Sequence, residues 1–199
     1  SMQYKSPKLL SKTYKRLLDF YQARLTQHGL DDPQALSYNS RTTQELRFAQ
    51  FLKVLPKDTP VSVLDVGCGV GDFADYLDRQ NYTAVAYTGL DVVPGMIAGA
   101  RKKYPEKTFL QGDILTAALP AYDYVVSSGA LNIIFTTAEE QARHIEQAII
   151  QMWAVARRGL AFNLLNVHSK NDFVQDDLFF YSNPAAILAF CQKLAPRTR

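Results

Sequence analysis

Three glycines at alternate positions, Gly67, Gly69 and Gly71, follow directly on an apolar run that begins at Val61. Glycine weakens both strands and helices, so it is retained where a turn needs a positive φ or where a side chain would collide with a ligand. Apolar residues at helical spacing follow from Phe73, and the glycines therefore join a buried strand to the N-terminus of a helix. This arrangement predicts a pocket for a nucleotide-type ligand, although a tight turn in any α/β protein would give the same pattern.

Two further apolar runs each end in an acid. The first ends in Asp91, about 20 residues after the glycines, where a carboxylate accepts hydrogen bonds from both hydroxyls of a ribose. The second begins at Thr108 and ends in Asp113 and Ile114. Because parallel strands end at the same edge of a sheet, we expect the glycines and both acids to line one crevice.

Residues 63–71 resemble, position by position, the first motif of the class I S-adenosylmethionine-dependent methyltransferases, V-L-D-x-G-C-G-x-G, including Asp65 and Cys68. The resemblance covers residues 60–166. Asp72 stands where the dinucleotide fingerprint G-x-G-x-x-G has its third glycine, which disfavours a nicotinamide cofactor. The resemblance therefore implies S-adenosylmethionine as the cofactor and S-adenosylhomocysteine as the product.

The resemblance also implies a role for most of the site residues. The backbone of residues 67–69 would pass beneath the methionine part of the cofactor, and Asp91 would hold its ribose. Asp113 would face the adenine amino group, with Val92 and Ile114 packed on the ring. The full predicted cofactor site consists of Asp65, Gly67, Cys68, Gly69, Gly71, Asp91, Val92, Asp113, Ile114, Ser128 and Arg47.

The fourth apolar run, residues 122–127, leads into Ser128 and a tip that we expect to face the reacting methyl group. DNA adenine methyltransferases and some protein amide methyltransferases carry an Asn/Asp-Pro-Pro-aromatic tetrapeptide here, and this chain does not. It also lacks the Pro-Cys pair used in cytosine-C5 methylation. These two absences disfavour a nucleic-acid substrate. The tip instead resembles that of small bacterial methyltransferases of unassigned substrate, V-x-x-S-G-x-x-N.

Two further residues are candidates for the site. Arg47 lies in a pattern, residues 44–48, that those small bacterial methyltransferases share, and it is predicted to face the carboxylate of the cofactor; a surface salt bridge is the alternative. His168 lies in a polar and aromatic stretch, residues 166–183, which is predicted to be a long substrate-side loop. Its imidazole is the candidate general base, although a solvated loop histidine has the same signature. The acids of this stretch lack the spacing of a metal site.

The elements that must hold these residues alternate along the chain. Helical patterns follow the second, fourth and fifth apolar runs, at residues 94–104, 138–156 and 184–194. Such alternation predicts an α/β fold with a doubly wound, mostly parallel sheet of about five strands and helices on both faces. We expect residues 1–58 to form an N-terminal helical extension or lid and residues 59–199 to form the cofactor-binding core.

One more helix is predicted to lead the chain into the first strand. Thr42 or Thr43 would cap it and Pro56 would stop it. Its apolar face is predicted to consist of Leu46, Ala49, Leu52 and Leu55.

The end of the chain departs from the class I pattern. Those enzymes usually add two strands after the fifth helix, and we expect no residues to be left here to form them. The fifth run, residues 160–165, would then be an edge strand, which invites pairing with another chain. We therefore expect a homodimer through this edge, unless the N-terminal helix or the loop at residues 166–183 covers it; a truncated relative with impaired activity is the other alternative.

Composition limits the number of domains, the class of ligand and the cellular compartment. The chain has 199 residues, 47% of them hydrophobic, and a net charge of +3, which suits one globular domain and gives little support to a nucleic-acid-binding patch. Its two cysteines form neither a disulfide framework nor a CxxC metal pattern, which favours the reducing cytoplasm. No apolar run approaches the length that spans a bilayer.

The sequence thus predicts a methyltransferase that acts on an oxygen, nitrogen or sulfur atom of a small molecule. The main alternative is a cofactor-binding protein of the same fold that has little or no turnover and serves as a scaffold or subunit. A NAD-type dehydrogenase is a third option. Methyl transfer from a sulfonium depends largely on alignment, so the want of an evident catalytic side chain does not argue against an enzyme.

Overall fold

Helices and strands alternate throughout the described part of the chain. The computed structural model describes residues 41–128, 138–168 and 173–182. The helices are α1 (Arg41–Leu52), α2 (Asp72–Arg79), α3 (Pro94–Lys103) and α4 (Ala138–Ala154). The strands are β1 (Val61–Val66), β2 (Val85–Asp91), β3 (Thr108–Gln111), β4 (Tyr122–Ser127), β5 (Ala156–His168) and β6 (Phe173–Tyr181).

All of these strands belong to one sheet with the order β3-β2-β1-β4-β5-β6. The pairs from β3 to β5 are parallel, and β6 is antiparallel to β5. The strand order reverses between β1 and β4, which is the topological switch point where open α/β sheets bind ligands. The predicted doubly wound, mostly parallel fold is confirmed.

The sheet is buried on both faces, as the apolar character of its parallel strands requires. One face carries Val63 of β1 and is covered by α1, α2 and α3, with Phe51 and Phe73 at the centre of the packing. The other face carries Leu64 and is covered by α4 through residues such as Ile149. The prediction of helices on both faces is confirmed.

The predicted apolar face of α1 is wrong at Leu46, whereas its other three residues pack within or against the apolar cluster. Leu46 is 63% exposed, whereas Phe48 and Phe51 are buried. Both rings pack against Phe73, with centroid distances of 5.1 and 5.7 Å. Aromatic rings bury more area than leucine side chains and therefore set the rotation of the helix. The helix also ends at Leu52, before the predicted stop at the proline.

Residues 166–168 and 173–181 lie in strands and not in the predicted loop. Strand β5 continues to His168, and β6 pairs with it from Phe173 opposite His168 to Tyr181 opposite Leu160. Within the described residues the sheet thus has six strands, against the predicted number of about five. Strand β6 lies before residues 184–194, so the expectation that no strands follow the fifth helix stays a prediction. Because β6 covers β5, the fifth strand is not an edge, and the predicted dimer through that edge loses its basis.

Other predictions fall outside the described residues. These are the helix at residues 184–194, the first 40 residues of the extension and most of the tip that follows β4. The division of the chain at residue 58 stays a prediction, although α1, which it assigns to the extension, packs in the same apolar cluster as β1 and β2.

Candidate functional site

The glycine turn between β1 and α2 needs its glycines for backbone conformation. Gly67, Gly69 and Gly71 have φ angles of 75°, 55° and 90°. Residues with a side chain rarely adopt these left-handed φ values, so any residue other than glycine would be strained at each position. Helix α2 begins immediately afterwards at Asp72. The strand–turn–helix arrangement is the one that the sequence predicts.

The backbone amides of this turn are used within the protein. The amides of Gly67 and Cys68 both donate to the carbonyl of Leu90, at 2.7 and 3.0 Å. The amide of Gly69 donates to Oδ2 of Asp91 at 2.9 Å. A phosphate-binding loop instead directs its amides at the ligand. These three amides therefore offer no such cradle to an anion.

Two glycines make room for neighbouring side chains rather than for a ligand. A Cβ at Gly71 would lie 2.9 Å from the rings of Tyr104 and Phe109. A Cβ at Gly89 of β2 would lie 2.8 Å from Sγ of Cys68, so the Cys68 side chain packs over Gly89. Burial raises the pKa of the Cys68 thiol well above its ordinary value, which keeps it uncharged.

Three carboxylates lie around the turn. Burial raises the pKa of Asp65 to about 7 and that of Asp91 to about 6. It also raises the pKa of Asp72, where a hydrogen bond from Gln44 acts in the opposite direction. The charges of Asp91 and Asp72 raise the pKa of Asp65 further. The turn is therefore surrounded by carboxylates that are partly protonated, and their remaining negative charge would favour the binding of a cationic ligand.

Asp91 ties the turn to the end of β2. Its Oδ2 accepts from the amide of Gly69 and its Oδ1 accepts from the amide of Val93, both at 2.9 Å. Each carboxylate oxygen can accept more than one hydrogen bond, so acceptor capacity remains for hydroxyl donors. Val92, which lies between these contacts, is partly buried.

The loop after β3 brings the second predicted acid to the same end of the sheet. The amide of Gly112 donates to the carbonyl of Asp91 at 2.9 Å. Asp113 accepts from the amide of Leu115 through Oδ1, also at 2.9 Å. Ile114 is buried in the apolar cluster that contains Leu90. The ends of β2 and β3 therefore bring Asp91, Val92, Asp113 and Ile114 together.

The end of β4 adds buried polar groups at the switch point. Oγ of Ser127 donates to the carbonyl of Val66 at 3.0 Å, which joins the ends of β4 and β1. Ser128 is buried directly after it. Asn163 of β5 is also buried, beside Phe162, which pairs with Ser127. Asn163 is not among the predicted residues, although a single amide within an apolar run is a signal that the sequence contains.

Helix α1 brings two buried polar side chains to this region. Arg47 is only 6% exposed, which is unlike the surface salt bridge that was its alternative interpretation. Nε2 of Gln44 donates to Oδ2 of Asp72 at 3.2 Å and so connects α1 to the start of α2. Neither Gln44 nor Asp72 is among the predicted site residues.

The two described histidines lie on different elements. His168 is the last residue of β5, which extends beyond the end of β4 as part of the hairpin with β6. His144 lies on α4, where burial lowers its pKa and the charge of Asp113 opposes that shift. Within residues 41–128, 138–168 and 173–182, no group of three histidine, cysteine, aspartate or glutamate residues could hold a metal ion. None of the described helices is both long and apolar enough to cross a membrane.

These observations distinguish between the two cofactor classes. S-adenosylmethionine carries a sulfonium and an ammonium group, which match the carboxylates of Asp65, Asp72 and Asp91. The pyrophosphate of a nicotinamide cofactor would meet those carboxylates and amides that are already bonded. The residues present therefore fit S-adenosylmethionine.

The profile of a family described as a methyltransferase domain matches residues 63–168, which is more than half of the 199-residue chain. The chain belongs to the class I S-adenosylmethionine-dependent methyltransferases. The predicted family and its cofactor, S-adenosylmethionine, are confirmed.

Two relatives support the assignment of the chain to the methyltransferase family, and they match different shares of it. A Mycobacterium tuberculosis protein named as a methyltransferase is 32% identical over 145 residues, which cover 71% of this chain and 85% of that protein. Trans-aconitate 2-methyltransferase of Methylobacterium nodulans is 39% identical over 66 residues, which cover 33% of this chain and 25% of the enzyme. The chain thus matches only a quarter of the length of the second relative.

A solved structure shows the same fold. Magnesium protoporphyrin IX methyltransferase from Synechocystis PCC 6803, with bound S-adenosylmethionine, has a TM-score of 0.54 and 18% sequence identity. The alignment covers 98% of this chain and 87% of that enzyme. At this identity the likeness concerns the fold alone.

Proposed function

We propose that the protein transfers the methyl group of S-adenosylmethionine to an oxygen, nitrogen or sulfur atom of a small-molecule acceptor. One observation carries the proposal: buried carboxylates flank a glycine turn whose amides are bonded internally. Such a site attracts the cationic cofactor of the family and disfavours a phosphate-containing one. Family membership and the fold are consistent with this function.

The glycine turn and the end of β2 are assigned to the methionine and ribose parts of the cofactor. The backbone of residues 67–69 would pass beneath the methionine part, with the Asp65 carboxylate below it. Asp91 would accept hydrogen bonds from the ribose hydroxyls, which its remaining lone pairs support. Gly71 would act indirectly, because its missing side chain lets the turn pack on Phe109.

The ends of β3 and β4 are assigned to the rest of the cofactor. Asp113 would face the adenine amino group, and Val92 and Ile114 would provide apolar contacts to the ring. Ser128 lies at the end of β4, on the side of the crevice where the methyl group would be presented. Arg47 would bind the carboxylate of the cofactor; its burial on α1, one helical turn from the Gln44 side chain that reaches α2, supports this role.

Bound S-adenosylmethionine supplies an electrophilic methyl group whose transfer leaves a neutral thioether. The protein's part is to align an acceptor with that methyl group and to exclude water from the crevice. His168 is proposed as a general base for acceptors that must lose a proton. Its place in the hairpin of β5 and β6, beyond the end of β4, is consistent with a position on the substrate side.

The acceptor is proposed only as a class. The Methylobacterium nodulans relative is named for trans-aconitate, a small carboxylic acid, but the match covers a quarter of that enzyme. A panel of small carboxylic acids, amines and thiols therefore suits a first screen, with formation of S-adenosylhomocysteine as the readout.

The cofactor site is tested by comparing two Asp→Asn variants in isothermal titration calorimetry. Asp91→Asn removes a charge at the proposed ribose site and one acceptor for the turn amides, so we expect S-adenosylmethionine to bind about tenfold or more weakly. Asp123→Asn is the matched control, because Asp123 accepts from the amide of Ser62 at the opposite end of the sheet. We expect this control to bind within about twofold of the wild type. Unchanged affinity in Asp91→Asn would remove Asp91 from the site.

Turnover is tested separately from binding. If the protein is a methyltransferase, at least one acceptor in the panel should yield both methylated product and S-adenosylhomocysteine. Cofactor binding with no product across the panel would instead favour the scaffold alternative. Absence of binding at millimolar S-adenosylmethionine would contradict both.

A further inference from the structure

Asp65 is hydrogen-bonded to a buried tyrosine of the neighbouring strand. The hydroxyl of Tyr87 donates to Oδ2 of Asp65 at 2.6 Å, and Asp65 is only 3% exposed. In the register of β1 and β2, Asp65 lies opposite Gly89 and Val63 lies opposite Tyr87. The two side chains are therefore diagonal neighbours on one face of the sheet, where long side chains reach each other.

The ring of Tyr87 is fixed in place by other aromatic residues. Its centroid lies 5.8 Å from that of Phe109 and 6.5 Å from that of Phe73, both in edge-to-face arrangements. Burial raises the pKa of the Tyr87 phenol well above its ordinary value, so the hydroxyl keeps its proton and remains a donor. The packing thus aims a permanent donor at the Asp65 carboxylate.

Two neighbouring carboxylates oppose the charge of Asp65. Asp91 lies at the end of β2, Asp72 begins α2, and both carboxylates raise the pKa of Asp65. The Cys68 thiol of the turn is buried, and the charge of Asp65 raises its pKa in return. Tyr87 is the neighbour whose hydrogen bond lowers the pKa of Asp65.

We propose that Tyr87 is a positioning residue that stabilises the charged form of the Asp65 carboxylate beneath the glycine turn and thereby strengthens the binding of the cationic cofactor. This inference rests on the proposed function, because it assumes that S-adenosylmethionine binds above the turn. A hydrogen bond to a charged acceptor is stronger than one between neutral groups, so Tyr87 favours the ionised acid. Without this hydrogen bond, the pKa of Asp65 would lie higher still.

The test compares Tyr87→Phe with the wild type by calorimetric titration of S-adenosylmethionine between about pH 6.5 and 9. The ratio of the two dissociation constants at each pH cancels any titration of the ligand itself. We expect the variant to bind about tenfold more weakly at pH 7 and to approach the wild type at the high-pH end. A ratio that does not change with pH would overturn the inference.

Tyr82→Phe is the matched control. In the wild type, the hydroxyl of Tyr82 donates to the carbonyl of Leu52 at 3.3 Å, and the Tyr82 ring packs against the apolar cluster that contains Tyr87. This variant also loses one hydroxyl and one hydrogen bond, but none to a carboxylate. Its affinity ratio to the wild type should be close to one at every pH. A pH-dependent loss in Tyr82→Phe as well would overturn the specific role of Tyr87.

Asp65→Asn separates an effect through the carboxylate from an effect of packing. If Tyr87 acts through the charge of Asp65, then adding Tyr87→Phe to Asp65→Asn should cause no further loss of affinity. A further loss of similar size would mean a merely structural role. Circular dichroism at each pH checks that all variants are folded.

A second measurement does not require the Tyr87 variant to fold. Relative to Asp65→Asn, the wild type should lose affinity for S-adenosylmethionine as the pH falls through about 7, because Asp65 then takes up a proton. Parallel profiles of the two proteins would overturn the inference. A wild type that does not bind S-adenosylmethionine at all would overturn the proposed function itself, whereas binding with a flat Tyr87→Phe ratio would overturn only the role of Tyr87.

Discussion

The conformation of the glycine turn depends on a residue outside it. Cys68 packs into the space that Gly89 leaves on β2, and the amides on either side of that side chain are bonded to β2. The turn is therefore fixed by a contact between side chain and strand as well as by its own glycines. This dependence can be tested at a single position.

Gly89→Ala should disturb both the turn and the core. The new Cβ would lie 2.8 Å from Sγ of Cys68 and from Cδ1 of Phe109. Overpacking of this kind costs about 1–3 kcal/mol of unfolding free energy. Because Cys68 must move, we also expect affinity for S-adenosylmethionine to fall by about tenfold. Urea denaturation and calorimetric titration measure the two effects.

Gly112→Ala is the matched control for that prediction. It lies on the adjacent segment after β3, and its new Cβ would come no closer than 3.4 Å to Leu90, which is ordinary contact. Its stability and cofactor affinity should stay near those of the wild type. If Gly89→Ala behaves in the same way, then the turn does not depend on the space beside Cys68.

At the level of elements, α1 contacts the start of α2 as well as the core. Its phenylalanines pack on Phe73, and that packing turns Gln44 toward Asp72 at the start of α2. The helix therefore holds the segment that directly follows the glycine turn. Loss of its polar contact should affect both stability and binding.

Gln44→Leu tests this connection. It keeps the approximate volume of the side chain and removes the donor to Asp72, leaving a buried carboxylate with one partner fewer. We expect a loss of about 1–2 kcal/mol in the unfolding free energy and weaker binding of S-adenosylmethionine. Gln50→Leu, on the same helix, is the control. Equal effects of the two substitutions would contradict a specific link between α1 and α2.

The elements also show which features a sequence can predict. Strands β1, β2 and β4 are largely buried, so their apolar runs indicate them directly. Strand β6, with the sequence FVQDDLFFY, mixes charged and aromatic residues, and its state is decided by pairing with β5. The rotation of α1 likewise follows from the partners of its phenylalanines. Contacts between residues that are distant in the chain are hardly recognisable from local sequence patterns.

The same limit applies to the site. The places of Asp91 and Asp113 could be predicted, because Asp91 ends β2 and Asp113 closely follows β3. The contacts of Tyr87 and Gln44 and the burial of Asn163 could not be predicted, because they depend on strand register and on helix packing between distant parts of the chain. Polar residues within apolar runs are the one local signal that they leave.

For the whole molecule, the raised pKa values make stability depend on pH. Asp65 and Asp91 have pKa values of about 7 and 6, above the ordinary 3.8. The folded state therefore binds protons more tightly than the unfolded state, and the stability this contributes is lost as the pH rises through these values. Asp123, whose pKa is lowered chiefly by the amide of Ser62, acts in the opposite sense and loses its contribution in acid. His144, with a lowered pKa, destabilises the fold only below about pH 6.5.

Between about pH 6.5 and 8, the titration of Asp65 should therefore dominate the difference between the wild type and Asp65→Asn. Without ligand, the wild type should lose on the order of 1 kcal/mol over this window, which lowers its midpoint of thermal unfolding by about 2–4 °C for a chain of this size. Asp65→Asn should lack this fall and be the more stable protein at pH 8.

Addition of S-adenosylmethionine at about 100 times its dissociation constant should stabilise the wild type by about 2.7 kcal/mol, and Asp65→Asn by less at the same concentration. Thermal unfolding with and without the cofactor measures all four values. If both proteins respond alike to pH and to cofactor, then the buried charge of Asp65 does not contribute to binding a cation. We expect instead that this charge lowers the stability of the free protein and raises its affinity for the cofactor.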